Sequence, residues 1–456
     1  MNWTALRWRV VAPLTAGLYR ALVRAGGWWP LGLLPRRRRL GVPLRLAYYH
    51  HAFPVLSETF IQREVMALRR AGLAVEVLSH EAQGVAQFDA DARALMATTT
   101  YLPWLGWRQR PPGLRTWLIR HPLRVANLFA YCLLRQSGPH KRRRDDQRLF
   151  NRALLLADEI RRRALTHVHV PWATPDATVA FLAARLASVR YSVQARASDI
   201  HRKSAVAGRR ERLVHADFVV TNTEYNAAIL RDLVRRRAPP LHIIRNGIDL
   251  SRFPSSEHAA APSGTPLRIV SVGRLTEPKG FLYLLQACAL LRDAGLAFRC
   301  EIVGGRVAGE VNHYLALRKL HRALGLAAQV HFVGAQPFDR VQARYADADL
   351  FVLPAVIAAD GRREITPNAL IEAMAMHCAV ISTPIGGIPE IVEDGVSGVL
   401  VPSADAAALA AAIQRLAGNP ERRAALGRAA RERVETRFDI DRNIQRYVAL
   451  FVPNPG

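Results

Sequence analysis

At 456 residues, half of them apolar, the chain can fill two cores of ordinary domain size, because a single core rarely grows past ~250–300 residues. Its formal charge of +27 points to an anionic partner, but only four of the 64 basic residues are lysines (Lys141, Lys203, Lys279 and Lys319), so a bias toward arginine codons accounts for much of the excess. The cysteines Cys132, Cys288, Cys300 and Cys378 include no close pair of the kind that zinc or redox chemistry needs.

In chain order, residues 1–44 differ in kind from the rest. Trp3, Trp8, Trp28 and Trp29 alternate with Arg7, Arg9, Arg20 and Arg24, Arg36–Arg39 follow, and no acid occurs before Glu58. Two readings stay open: a helix lying in the headgroup layer of an anionic membrane, which attracts basic residues at about 1 kcal/mol each, or an arginine-rich disordered tail. Residues 1–150 carry 24 Lys or Arg against 8 Asp or Glu, so +16 of the net charge sits in the N-terminal third. Val10–Tyr19 is followed at once by Arg20 and Arg24 with no clean cleavage site, which argues against a signal peptide. The longest uncharged stretch, Ala373–Pro389, is broken by Pro, Gly, Ser and Thr, so no membrane-spanning helix is expected.

Short β-branched runs then alternate with helical patterns twice over, which is the sequence form of a doubly wound parallel sheet. The first set of predicted strands is Arg45–Tyr49, Ala74–Ser79, His167–Val170, Tyr191–Gln194, Phe218–Thr221 and His242–Arg245. The second is Arg268–Val272, Arg299–Val303, Val330–Val333, Leu350–Leu353, Ala379–Ser382 and Val399–Val401. Two α/β domains are therefore expected, at 45–252 and 267–440, joined by a linker at 253–266 and closed by a helix at 441–456 that returns to the first domain. Residues 95–150, with Trp104, Trp107, Trp117 and the basic run His140–Arg144, read as a helical insertion. A nucleic-acid patch is the sharper alternative there, but no RNA-binding, helix-turn-helix or zinc-finger motif accompanies the charge, and no nucleic-acid partner is expected.

Open α/β sheets bind ligands beyond the carboxyl ends of their strands, so the loops there carry the chemistry. Gly273 lets the backbone approach a ligand after the first strand of the second set, and Arg274 and Lys279 can reach a diphosphate at the start of the next helix. In a chain that nearly always chooses arginine, the lysine at 279 hints at a compact point charge. Further on, Glu364-Ile365-Thr366-Pro367-Asn368 leads to Glu372, two glutamates with seven residues between them. Pro367 suits a first helical turn, which sets Glu364 just before a helix and Glu372 within it. One carboxylate can then accept both hydroxyls of a ribose and the other can hold sugar hydroxyls. Gly386-Gly387-Ile388-Pro389-Glu390 forms another close-approach loop.

These motifs, with Asp349-Leu350-Phe351-Val352-Leu353-Pro354 and Ala373-Met374-Ala375, resemble the retaining glycosyltransferases of family 4. The resemblance covers nearly the whole chain beyond about residue 44 and implies the GT-B fold, two facing Rossmann-like domains with the active site between them. Ser57-Glu58-Thr59-Phe60-Ile61, His167-Val168-His169 and Arg245-Asn246-Gly247 look like those of exopolysaccharide-building members such as the colanic acid transferases. By resemblance, Arg274 and Lys279 neutralise the leaving diphosphate, Glu372 holds the ribose and Glu364 contacts the donor sugar, with Gly273, Ile365, Thr366, Pro367 and Asn368 completing the donor site. Ser57, Glu58, Thr59, His169, Asp199 and Asn246 then contact the acceptor or frame the cleft. The family retains anomeric configuration without a bound metal, and one proposed route has the leaving phosphate help to deprotonate the acceptor.

Two positions depart from the family pattern. Arg196 stands where relatives commonly have a histidine, in Ala195-Arg196-Ala197-Ser198-Asp199, and can bind phosphate or sugar oxygen but accepts no proton. Ile365 stands where many have glycine. Three decoys read otherwise: Asp347-Ala348-Asp349 as a lead-in to a strand, Gly304–Gly309 as a cleft-facing turn without a P-loop ending, and His167 with His169 as a pair lacking a third metal ligand. The expectation is a cytoplasmic enzyme, peripheral on the inner face of the cell membrane. It needs no cofactor, since the UDP- or GDP-linked sugar is its substrate, and its partners are a lipid-linked glycan acceptor and an anionic membrane surface. A sugar-nucleotide-binding relative without turnover, and an epimerase or hydrolase on the same fold, are the alternatives.

Overall fold

The computed structural model describes residues 43–55, 58–83, 88–105, 109–134, 141–201, 209–234, 239–254 and 265–452. The tryptophan- and arginine-rich segment up to residue 42, and most of the linker, lie outside them. Two parallel sheets, each covered by helices, make a GT-B architecture.

The first sheet contains β1 (Arg45–Tyr49), β3 (Ala74–Ser79), β5 (Thr99–Tyr101), β6 (His167–Val170), β7 (Arg190–Gln194), β8 (Phe218–Thr221) and β9 (Leu241–Ile243). Its order is β5-β3-β1-β6-β7-β8-β9, while the short β2 (Ala52–Val55) and β4 (Glu81–Gln83) pair with each other beyond the ends of β1 and β3. The second sheet contains β10 (Leu267–Val272), β11 (Phe298–Val303), β12 (Val330–Gly334), β13 (Leu350–Leu353), β14 (Ala379–Ser382) and β15 (Val399–Leu400), in the order β12-β11-β10-β13-β14-β15. A strand such as Leu350–Leu353 is apolar and buried because helices cover both faces, which is what an all-parallel sheet requires. Each sheet reverses its winding once, beside β1 and beside β10. A crevice opens at such a reversal, because neighbouring crossovers leave to opposite faces.

The insertion differs from its all-helical expectation. Thr99–Tyr101 adds β5 to the edge of the first sheet, parallel to Val77–Ser79, before the helices Leu114–Arg120, Pro122–Leu134 and Lys141–Arg162 begin. Three residues are too few to show a period of two. The C-terminal helix Ile440–Phe451 turns Ile440, Ile444, Tyr447 and Phe451 to one face, and that face packs with Leu46, Tyr48, Ile61 and Val65 of the first domain.

Candidate active site

The crevices of the two sheets face one another across a cleft of ≈ 790 Å³ lined from both domains. On the second-domain side, β10 runs straight into Gly273. A Cβ at Gly273 would sit 2.9 Å from Lys279 Cε, so the missing side chain is what lets the lysine stem lie across the loop. Glu277–Lys279 make one tight turn, and Gly280 then takes φ +71° with its α-carbon against the backbone of β13's exit: a Cβ would meet Pro354 O at 1.7 Å. The helix Phe281–Asp293 starts there, so Arg274 and Lys279 stand at its N-terminal end.

Lys279 is buried and its Nζ lies 2.9 Å from Glu364 Oε2. Pro367 caps the helix Asn368–Ala375 from the N-cap position, one residue earlier than a first-turn placement, which leaves Glu364 on the loop and Glu372 within the helix. Glu372 Oε1 accepts a hydrogen bond of 2.9 Å from Arg63 Nη2 of the first domain, and its Oε2 accepts one of 3.4 Å from the Tyr345 hydroxyl. Ile365 is buried, with its Cδ1 beside Gly386, so the bulk at this position turns inward.

The two domains are tied at several points around the cleft. Asn222 Nδ2 donates to Thr366 Oγ1 at 3.0 Å and Arg363 Nη1 donates to the Tyr225 hydroxyl at 2.7 Å. Glu390 accepts from the backbone N–H groups of Glu224 and Tyr225, each at 3.0 Å, at the first turn of the helix Glu224–Val234. A carboxylate at a helix N-terminus satisfies two amides that have no partner within the helix.

Of the expected donor residues, Gly273, Arg274, Lys279, Glu364, Ile365, Thr366, Pro367, Asn368 and Glu372 all line the cleft, and so do Arg196, Glu58, Thr59 and Asn246. Ser57 lies outside the described residues. Two placements, His169 and Asp199, correct the sequence reading. His169 sits inside the first sheet, where its Nδ1 lies 2.7 Å from Ser192 Oγ and its Nε2 lies 3.0 Å from Gln194 Nε2. Burial, with help from Arg196, pushes its pKa down to about 3, so it is a neutral core histidine. Its strand alternation aims it at the domain interior instead of the cleft. Asp199 is buried and accepts from the backbone N–H groups of Ala173, Arg196 and Ala197, so it shapes the loop without facing the cavity. Arg196 reaches the cleft wall, but its Nη2 donates to Glu64 Oε2 at 2.5 Å, its Nη1 to Asn246 Oδ1 at 3.5 Å, and its plane lies over Phe60.

The decoys resolve as well. Asp349 ties its carboxylate to Arg268 at the end of the sheet away from the cleft. His167 turns its Nε2 to the same Ser192 hydroxyl as His169, 2.6 Å away. Among the described residues no group of three or more His, Cys, Asp or Glu is arranged to hold a metal.

Sequence reasoning missed His50, His51, Trp172, Arg362 and Arg363, which also line the cleft. It missed Arg63 and Glu64 on the helix Thr59–Arg70 too. His50 and His51 were open to discovery, since they directly follow a predicted strand whose end borders the crevice. Arg63 and Glu64 gave no signal, because a charged pair on an amphipathic helix ordinarily faces water.

Residues 255–433 match the family model described as Glycosyl transferases group 1. The second domain is a glycosyltransferase group 1 domain. The putative colanic acid biosynthesis glycosyltransferase WcaL of Escherichia coli (strain K12) is 43% identical over 201 residues, covering 43% of this chain and 47% of WcaL. The amylovoran biosynthesis glycosyltransferase AmsK of Erwinia amylovora is 37% identical over 203 residues, covering 44% of this chain and 48% of AmsK. The chain spans about half the length of the curated relatives it matches. Among solved structures, sucrose-phosphate synthase of Thermosynechococcus elongatus superposes with a TM-score of 0.67 at 19% identity, over 90% of this chain and 98% of its own. HepE of Anabaena in complex with UDP and glucose superposes with a TM-score of 0.64 at 16% identity, over 89% and 99%. At those identities the likeness is one of fold.

Proposed function

We propose that the chain is a retaining, metal-independent glycosyltransferase of family 4 that moves a hexose from a UDP- or GDP-linked donor to a lipid-linked oligosaccharide or polysaccharide precursor. The observation that carries this reading is the convergence of Arg274, Lys279, Glu364 and Glu372 on one cleft wall, beside the start of a helix and opposite the first domain. Arg274 and Lys279 receive the charge that develops on the departing diphosphate, Glu372 accepts the ribose hydroxyls, and Glu364 orients the transferred sugar. Catalysis then rests on positioning and on electrostatic stabilisation of the leaving group. The names of WcaL and AmsK, both polysaccharide-biosynthesis glycosyltransferases, support the substrate class.

An anionic membrane surface is the proposed setting. Its support is the corner between the helices Leu114–Arg120 and Pro122–Leu134, where Ile119 is 81% and Leu123 79% exposed beside Arg115, Arg120 and Arg124. No acid occurs from residue 92 to residue 144. Apolar anchors among cations suit an acidic headgroup layer. No helix of the described residues is long and apolar enough to cross a membrane.

Thermal shift with a panel of sugar nucleotides tests the donor, because a ligand that binds the folded state alone raises the apparent stability. Product analysis with and without a lipid-linked acceptor then separates transfer from hydrolysis or epimerisation. Donor binding with no released nucleotide under any condition contradicts the enzymatic reading.

A further inference from the structure

The loop that leaves β1 is His50-His51, and the loop that leaves β6 passes Trp172 and Thr174 into the helix Pro175–Ala187, whose second residue is Asp176. These two loops flank the winding reversal of the first sheet, so they form the part of the cleft wall that faces the donor-binding domain. His51 Nδ1 lies 3.0 Å from Asp176 Oδ2, while Asp176 Oδ1 accepts a 2.7 Å hydrogen bond from Arg152 Nη2. Asp176 is buried, whereas the His51 side chain is 41% exposed with its Nδ1 enclosed. The exposed edge of the ring is therefore the one that carries Nε2. A carboxylate 3.0 Å from Nδ1 favours the tautomer with its proton on that nitrogen, leaving Nε2 as the lone-pair acceptor on the exposed edge of a ring that lines the cleft.

We propose that His51 Nε2 takes the proton of the attacking hydroxyl of a pyranose acceptor, with Asp176 as the positioning residue behind it. The inference rests on the transferase reading above and adds a residue to its acceptor side. Phe60 and Trp172, edge-to-face at 5.7 Å, line the same wall and offer apolar surface to a sugar ring, and Glu58 lies 3.4 Å from Trp172 Nε1. The acceptor oxygen bonds to the anomeric carbon on the face that the diphosphate leaves, which keeps the configuration, and its proton passes to Nε2. The bond from that carbon to the diphosphate oxygen breaks, and its electron pair leaves on the diphosphate beside Arg274 and Lys279. His51 thereby takes the proton that the departing phosphate would otherwise have to accept, and it returns that proton to water or to the released nucleotide afterwards.

The charged and titratable groups around the ring are Asp176, Arg152, Glu58, His50 and His80. Asp176 raises the His51 pKa, against partial burial and the repulsion of Arg152. The ring must be neutral to accept a proton, so the acid limb of the rate profile follows this group and moves to lower pH when the carboxylate is removed.

The test compares wild type with His51→Gln and Asp176→Asn, using p-nitrophenyl hexosides and water as acceptors and calorimetry with UDP and GDP for the donor side. The expected result is a fall in kcat of about 10²-fold in His51→Gln, the scale of one acid–base group, with nucleotide affinity within about twofold of wild type. Asp176→Asn loses about tenfold in kcat and shifts the acid limb downward. Turnover in His51→Gln at half the wild-type rate or more, an acid limb that stays fixed in Asp176→Asn, or a parallel loss of nucleotide affinity overturns the proposal. Wild-type protein that binds neither nucleotide, or that releases none from any donor, overturns the transferase reading and this inference together. Intact wild-type turnover that ignores His51 overturns this inference alone.

Discussion

The two walls of the cleft are built from different materials. The donor wall is made by close backbone approach: Gly273 under the Lys279 stem, Gly304 against Gly273 O, Gly280 against Pro354 O, Gly386 against Glu364 O. Among its charged side chains Lys279 pairs with Glu364 on the same wall and Glu372 with Arg63 across the cleft. The opposite wall rests on a buried side-chain network in which Glu64 accepts from Tyr48, Gln194 and Arg196. Main-chain surfaces suit a constant feature such as a diphosphate. Side-chain networks can be exchanged piece by piece, which suits a ligand feature that varies.

The contrast can be broken first at the network. Glu64→Gln leaves the Arg196 guanidinium buried against a neutral amide, and removing one partner of a buried ion pair costs about 3–5 kcal/mol. Urea denaturation reads the loss; a change under about 1 kcal/mol shows that water already serves this pair. On the second-domain wall Lys279→Ala should lower kcat/KM by at least about 10²-fold, roughly the effect of deleting one transition-state donor, beyond any loss of stability from leaving Glu364 unpaired, which urea denaturation measures separately. Steady-state kinetics with the donor found by thermal shift decides it.

Gly280→Ala combines a positive φ with a backbone clash, so it should destabilise the second domain by more than ~1 kcal/mol, seen as a lower urea midpoint. Most of the histidines with a shifted pKa lie in the first domain, His313 being an exception. Burial first, then Arg152, pushes the His80 pKa down to about 4; burial and Arg196 push that of His169 down to about 3, and burial also lowers His167. Their folded values lie below the unfolded ~6.5, so the unfolded chain takes up protons that the native chain refuses. Below pH ~6.5 these histidines cost about 1.4 kcal/mol of stability per unit each on the way toward pH 4, whereas His51, whose pKa is raised, adds stability only as pH falls from its folded value to ~6.5 and is level below that. Urea midpoints from pH 7 to pH 4.5 measure the slope. Glu390→Gln should cost least, about 1 kcal/mol of cap energy at the helix Glu224–Val234, read as faster amide exchange at Glu224 and Tyr225.

The same contrast explains what could be read from the residues alone. Twelve strands were legible, several to the residue, because parallel strands are short continuous apolar runs between glycine-bearing turns. That Gly273, Lys279, Glu364 and Glu372 share one cleft wall was legible too, since they lie within local motifs whose spacing has a mechanical reason. The opposite wall was not. His169 and Arg196 were read as site residues from the family resemblance, yet the hydrogen bonds that hold them come from Glu64, Ser192 and Gln194, up to 132 positions away, and they keep His169 out of the cleft. Asp176 and His51 lie on separate crossovers, and only the sheet order brings them together. The edge strand Thr99–Tyr101 was hidden by its length.

Glu390 also bears on how such a protein can be rebuilt. Its carboxylate finishes a helix that belongs to the other half of the chain, and Gly387 gives room to Thr223 at the same seam. A chimera that joins the donor half of one relative to the acceptor half of another would inherit a capless helix or a stranded acid unless both sides of the seam travel together. The modular unit for exchange is therefore larger than either sheet: the Gly386–Glu390 loop must move with the Thr223–Tyr225 turn.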